Sequence, residues 1–132
     1  MTILVVDDDV DFASSMATVL EDEGHRALIA NDADHSLDLA RAHRVDAVLL
    51  DLILPDVDGF EIARRLRDGV VAASSIIILI TGVTSVAVAT ADAAGIDFIL
   101  HKPISAAELT GLIRHLQKSP RKVSPTRDLQ RS

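Results

Sequence analysis

The chain has 132 residues, 48% of them apolar and 25% charged, which is room for one domain with a sizeable core. The absence of cysteine excludes disulfides and thiolate metal sites, and the net charge of −7 argues against nucleic-acid binding by this domain. Aromatics make up 2%, so the core must be aliphatic, and no apolar run approaches the roughly 18 residues of a membrane span.

The chain opens on "ILVV" (3–6), an apolar and largely β-branched run that predicts a strand. Three carboxylates follow at once, Asp7, Asp8 and Asp9, with Asp11 just beyond. Phe12, Met16, Val19 and Leu20 then recur at helical spacing, and Gly24 closes that helix. The next strand is "RALIA" (26–30), followed by a helix from about Ala33. "DAVLL" (46–50) predicts a third strand, and a turn-rich segment leads into the helix "GFEIARRLRD", which Gly69 ends. "IIILI" (76–80) is the fourth strand and the most apolar run. "VAVATADAA" is a weakly amphipathic helix ended by Gly95, and "DFIL" (97–100) is the fifth strand. A last helix starts near Ser105, an N-cap with Glu108 three residues on, and runs to about Gln117.

Strands alternating with helices five times predict parallel strands covered on both faces. The expected architecture is a doubly wound, five-stranded parallel α/β domain of the flavodoxin-like kind, spanning 1–117. Residues 118–132 carry five bases and one acid, leaving −11 on the rest, and contain two prolines and three serines. They read as a solvated tail or the start of a linker.

In such folds ligands bind beyond the carboxyl ends of the strands. Asp7 and Asp8 follow the first strand, Asp51 the third, Thr81 the fourth and Lys102 the fifth. Taken singly, each has an ordinary explanation: a helix cap, a turn hydroxyl, a solvated lysine. Together they form a set suited to phosphoryl transfer. Two carboxylates about 4 Å apart repel by roughly 4 kcal/mol at an effective dielectric near 20, so a cation is expected between them. Asp8 and Asp51 offer hard oxygens to a small divalent ion such as Mg²⁺. Asp51 can also attack phosphorus to give an acyl phosphate. Lys102 and Thr81 can then hold the phosphoryl oxygens.

The motifs "ILVVDDD", "LLDLILPDVDG", "LITG" and "HKP", in this order, resemble the response-regulator receiver domain of two-component signalling, over about residues 2 to 117. The resemblance implies that Asp51 receives a phosphoryl group from a phosphohistidine on a sensor histidine kinase or phosphotransfer protein. It implies direct ligation of Mg²⁺ (or Mn²⁺) by Asp8, contact through water from Asp7, and a backbone carbonyl from Ile53. Lys102 would neutralise the phosphoryl group beside a cis Lys102–Pro103 peptide, and Thr81 would swing toward it on activation. The implied protein is cytoplasmic. It is not an enzyme beyond its own phosphorylation and slow dephosphorylation. It would switch a surface that binds a downstream protein or a second copy through the helix after Thr81 and the last strand and helix.

Some positions depart from the family's pattern. Three residues before the lysine, where the family carries an aromatic, stands Ile99, with Phe98 beside it; the expectation is that aromatic coupling is absent. Ile53 and Val83, which would flank the acyl phosphate, are both apolar, so its hydrolysis should be slow. "TSVAVATADAA" has Asp92 as its one charge and suggests an exposed Val/Ala docking face. Among the histidines, His101 is expected at the surface. A haloacid-dehalogenase-like phosphatase would use Asp7 as nucleophile, but "DDDVD" lacks the required Thr or Val at the motif's end and leaves Asp51 unexplained. A degenerate, protein-binding receiver fits less well with a complete acid set, Thr81 and Lys102.

Overall fold

The computed structural model describes residues 1–118 and 125–129. Its strands are β1 (Thr2–Val6), β2 (Arg26–Ala30), β3 (Ala47–Asp51), β4 (Ile76–Thr81), β5 (Phe98–His101) and β6 (Arg127–Asp128). Its helices are α1 (Val10–Asp22), α2 (Ala33–Ala42), α3 (Gly59–Arg67), α4 (Val88–Ala93) and α5 (Ala106–Lys118). All strand pairs are parallel, in the order β2-β1-β3-β4-β5-β6.

Strand alternation sorts the core into two layers. Leu4, Val6, Val48, Leu50, Ile77, Leu79 and Ile99 point to the side covered by α2, α3 and α4, where Leu37, Ile62, Leu66 and Ala91 meet them. Ile3, Val5, Leu49, Ile78, Ile80 and Leu100 point to the side of α1 and α5, against Met16, Leu20, Leu109, Ile113 and Leu116. Both faces of β3 and β4 are buried, which is why their sequences are continuous apolar runs rather than alternating ones.

Local chemistry starts and stops the helices where the sequence suggests. Asp9, Asp32 and Asp58 cap α1, α2 and α3, each accepting a backbone N–H three residues on. Ser105 Oγ accepts from the Glu108 N–H at 3.0 Å, while Glu108 accepts from the Ser105 N–H at 3.3 Å, closing a reciprocal capping box. The helix after β4 is shorter than expected and has no side-chain cap. Val86, Ala91 and Ala94 are buried and Val88 half-buried, so its exposed apolar surface shrinks to Ala87, Ala89 and Ala93.

The expected five strands become six, and the sixth comes from the segment read as a solvated tail. The Arg127 N–H donates to the Asp97 carbonyl and the Leu129 N–H to the Ile99 carbonyl, both at 3.0 Å. Short-range patterning gave no hint of this strand because two residues carry no periodicity. The rest of 118–132, namely 119–124 and 130–132, lies outside the described residues.

Candidate functional site

The strand order reverses between β1 and β3, and their carboxyl ends open a crevice there. Asp7 and Asp8 stand just past β1, and Asp51 closes β3. Side-chain oxygens of Asp7, Asp8 and Asp51 lie within 4.8 Å of one another. Asp7 is 2% and Asp51 8% exposed, whereas Asp8 faces solvent. Asp7 is fixed by its own turn: its carboxylate accepts the Asp9 N–H at 2.9 Å, and its backbone is tied to β2 through Ala30 and Asn31.

Lys102 reaches across from the end of β5. Its Nζ donates to Asp7 Oδ2 at 3.1 Å and stands 3.8 Å from Asp51 Oδ1. The ammonium also sits 4.4 Å above the ring of Phe12 on α1, a cation–π contact that holds the stem across the crevice. The Lys102–Pro103 peptide is cis. Burial holds the Asp51 carboxyl above its ordinary pKa, reinforced by the negative charge of Asp7 and, less strongly, of Asp8. Lys102 and the Ile53 backbone N–H oppose that rise without cancelling it. Three carboxylates thus share one ammonium, and the oxygen-only donor set suits a hard divalent cation.

Thr81 is fully buried at the end of β4, and its hydroxyl accepts the Val83 N–H at 3.0 Å. Ile53 is 66% exposed at the mouth of the crevice, and Val83 is half-buried. The loop between Asp51 and α3 is pressed close to the helix: the Gly59 N–H donates to the Leu52 carbonyl at 2.7 Å. A Cβ at Gly59 would collide with the Asp51 carbonyl oxygen, so only glycine allows this approach.

The β4–β5 register resolves the position before the lysine. Leu79 pairs with Ile99 and Thr81 with His101, which puts Ile99 and His101 on the same side of the sheet as Thr81. Phe98 points to the opposite layer, against α1 and α5. The residue three before Lys102 is therefore a fully buried isoleucine on the Thr81 side of the sheet, not an aromatic. The sequence reading missed two neighbours of the site. Phe12 looked like an ordinary core position of α1. His101 is not a free surface side chain: Nδ1 lies 3.2 Å from the Val83 carbonyl and Nε2 3.0 Å from the Asp128 carboxylate. A broad concavity of about 680 Å³ lies at the other end of the sheet, lined by Arg67, Asp68, Ala93 and Gly95 among others. It contains none of these groups.

Residues 3–114 match the model of the response regulator receiver domain family, and the chain belongs to that family. Response regulator MprA of Mycolicibacterium vanbaalenii is 37% identical over 114 residues, covering 86% of this chain and 49% of the relative. Transcriptional regulatory protein TcrA of Mycobacterium tuberculosis is 34% identical over 116 residues, 88% of this chain and 46% of the relative. The chain thus aligns with about half the length of the curated relatives it matches. Among solved structures, a CheY-like response regulator receiver domain protein from Methanospirillum hungatei superposes with a TM-score of 0.83 at 28% identity, covering 89% of this chain and 93% of that one. Among the described residues, no helix is long and apolar enough to cross a membrane.

Proposed function

We propose that Asp51 is the phosphoacceptor of this receiver domain, and that its donor is a phosphohistidine on a sensor kinase or phosphotransfer protein. A carboxylate oxygen of Asp51 forms a bond to phosphorus as the phosphorus–nitrogen bond to the donor imidazole breaks, and the released ring nitrogen takes up a proton. The observation that carries this reading is the convergence of Asp7, Asp8, Asp51 and Lys102 at the β1/β3 crevice.

Each residue has a task that follows from its place. Asp51 must ionise to attack, and Lys102, 3.8 Å away, favours that ionised form. Asp8, exposed and uncommitted to a cap, would hold Mg²⁺ or Mn²⁺ directly, together with Asp51 and the Ile53 carbonyl; Asp7, already bonded to Lys102, would act through water. A bound divalent ion would offset the carboxylate charge and polarise the incoming phosphoryl group. Lys102 then neutralises the product, and the Thr81 hydroxyl turns from Val83 toward a phosphoryl oxygen. Exposed, apolar Ile53 and half-buried Val83 offer nothing to orient an attacking water. The acyl phosphate should therefore decay slowly, and faster in Ile53→Asn or Val83→Glu.

The surface that responds is formed by α4, β5 and α5, and its partner is a downstream protein or a second copy. We assign the protein to the cytoplasm and assign this domain no nucleic-acid binding, on its resemblance, its cysteine-free composition and its negative charge.

Incubation with acetyl phosphate and Mg²⁺ should add one phosphoryl group to the intact mass. Asp51→Asn should abolish the gain, and Asp7→Asn should only reduce it. Labelling that persists in Asp51→Asn, or that maps to Asp7, would sink this reading.

A further inference from the structure

β6 is unlike the other five strands. The first four crossovers share one hand: the step from β1 to β2 runs one way along the sheet beneath α1, and the steps to β3, β4 and β5 run the other way beneath α2, α3 and α4 on the opposite face. The step from β5 to β6 continues in that second direction. β6 is two residues long and pairs with β5 alone, so local contacts hold it there.

Those contacts are specific. The Thr126 N–H donates to Asp92 Oδ1 of α4 at 2.8 Å, and its buried hydroxyl donates to the Ile96 carbonyl. Arg127 and Leu129 donate backbone N–H groups to the edge of β5. Asp128, with its side chain 7% exposed, meets His101 with both carboxylate oxygens at 3.0 Å from Nε2. On the other side of the same ring, Nδ1 reaches the Val83 carbonyl, and the Val83 N–H is the group that Thr81 holds. One imidazole thus ties the segment to the loop behind Thr81.

We propose that the β5 edge is a strand-docking site occupied in cis by residues 125–129, with His101 as the latch between that strand and the Thr81–Val83 loop. The coupling half of this inference rests on the phosphoacceptor reading. When the Thr81 hydroxyl leaves the Val83 N–H, the Val83 carbonyl shifts, the His101–Asp128 contact is lost, and the β5 edge is freed for another strand. An exposed edge of unpaired N–H and C=O groups is a ready template for such pairing.

The test is amide hydrogen exchange at Arg127 and Leu129, followed by NMR on the 132-residue chain. Both amides should be protected in the unmodified protein. Asp128→Ala and His101→Ala should each cut protection by about tenfold or more while leaving the core amides of β3 and β4 unchanged. Acetyl phosphate with Mg²⁺ should do the same to the native sequence. Unprotected amides in the unmodified chain would overturn the docking. Protection that rises with protein concentration would overturn the cis occupant in favour of a second copy. Full protection in a sample whose mass shows a phosphoryl group on Asp51 would overturn the latch. A sample that takes up no phosphoryl group would sink the phosphoacceptor reading alone, and the two alanine variants would still decide the docking.

Discussion

Two partly buried charge clusters sit at opposite ends of the same sheet, and they are built to opposite rules. At the amino ends of β4 and β5, Arg67 donates to Asp97 Oδ2 at 2.8 Å, to the Gly95 carbonyl at 2.9 Å and to the Ser75 carbonyl at 2.8 Å. Asp97 also accepts the Ile77 N–H. Among the described residues, one guanidinium, one carboxylate and several backbone groups meet there. At the carboxyl ends, three carboxylates face one ammonium. Paired, partly buried charge fixes a corner of the fold, whereas charge left in excess at a crevice is what the proposed phosphoacceptor role requires.

The largest effect should come from breaking the balanced end. Arg67→Ala leaves Asp97 buried without its guanidinium, which should cost about 3–5 kcal/mol in urea denaturation. Arg64→Ala, which removes an exposed pair with Glu61, should leave the urea midpoint almost unchanged. Equal losses in the two variants would erase the contrast between structural and surface charge. At the unbalanced end, Mg²⁺ at a hundredfold excess over its dissociation constant should stabilise the protein by about 2.7 kcal/mol. That gain should vanish in Asp8→Ala; if thermal melts show no gain in the native sequence, the excess charge has another purpose.

With chelator present, the same end should show its strain as a pH dependence. The folded state holds the Asp51 proton more tightly than the unfolded chain does, because its pKa is raised. The stabilising contribution is complete below the ordinary carboxylate pKa and is lost as pH rises through the raised value. The slope of stability against pH from this one proton is at most about 1.4 kcal/mol per unit. Asp51→Asn should flatten it; an unchanged slope would assign the effect to other groups. The smallest change concerns the helix that spans both ends. α3 begins at Gly59 against the Asp51 loop and ends at Arg67, so its cap supports both clusters. Asp58→Ala should cost about 1 kcal/mol, and with it some phosphoryl uptake at Asp51. Stability lost with uptake unchanged would show the two ends to be independent.

What could be read in advance followed from local pattern. Apolar runs located five strands within a residue or so, and the residues at their carboxyl ends pointed to Asp7, Asp8, Asp51 and Lys102, which the fold brings together, and to Thr81 at the end of β4. The cap at Ser105 was legible because it acts on Glu108, three positions away, whereas the caps at Asp32 and Asp58 were not singled out. The Arg67 clamp, the Lys102–Phe12 contact and the His101–Asp128 pair were not legible. The side-chain partners Arg67–Asp97, Lys102–Phe12 and His101–Asp128 are separated by 27 to 90 positions, and nothing local marks them. β6 escaped for a further reason: its composition reads as linker, and its pairing exists only because the β5 edge is there to receive it.

The stacking of Lys102 on Phe12 has a practical side. The chain contains neither tryptophan nor tyrosine, so its near-ultraviolet emission is almost dark. A Phe12→Trp substitution would install a single fluorophore directly beneath the ammonium. Any event that draws Lys102 off the ring would then register as a change in emission against an empty background. The protein's poverty in aromatic residues thus lets its own crevice be watched in real time.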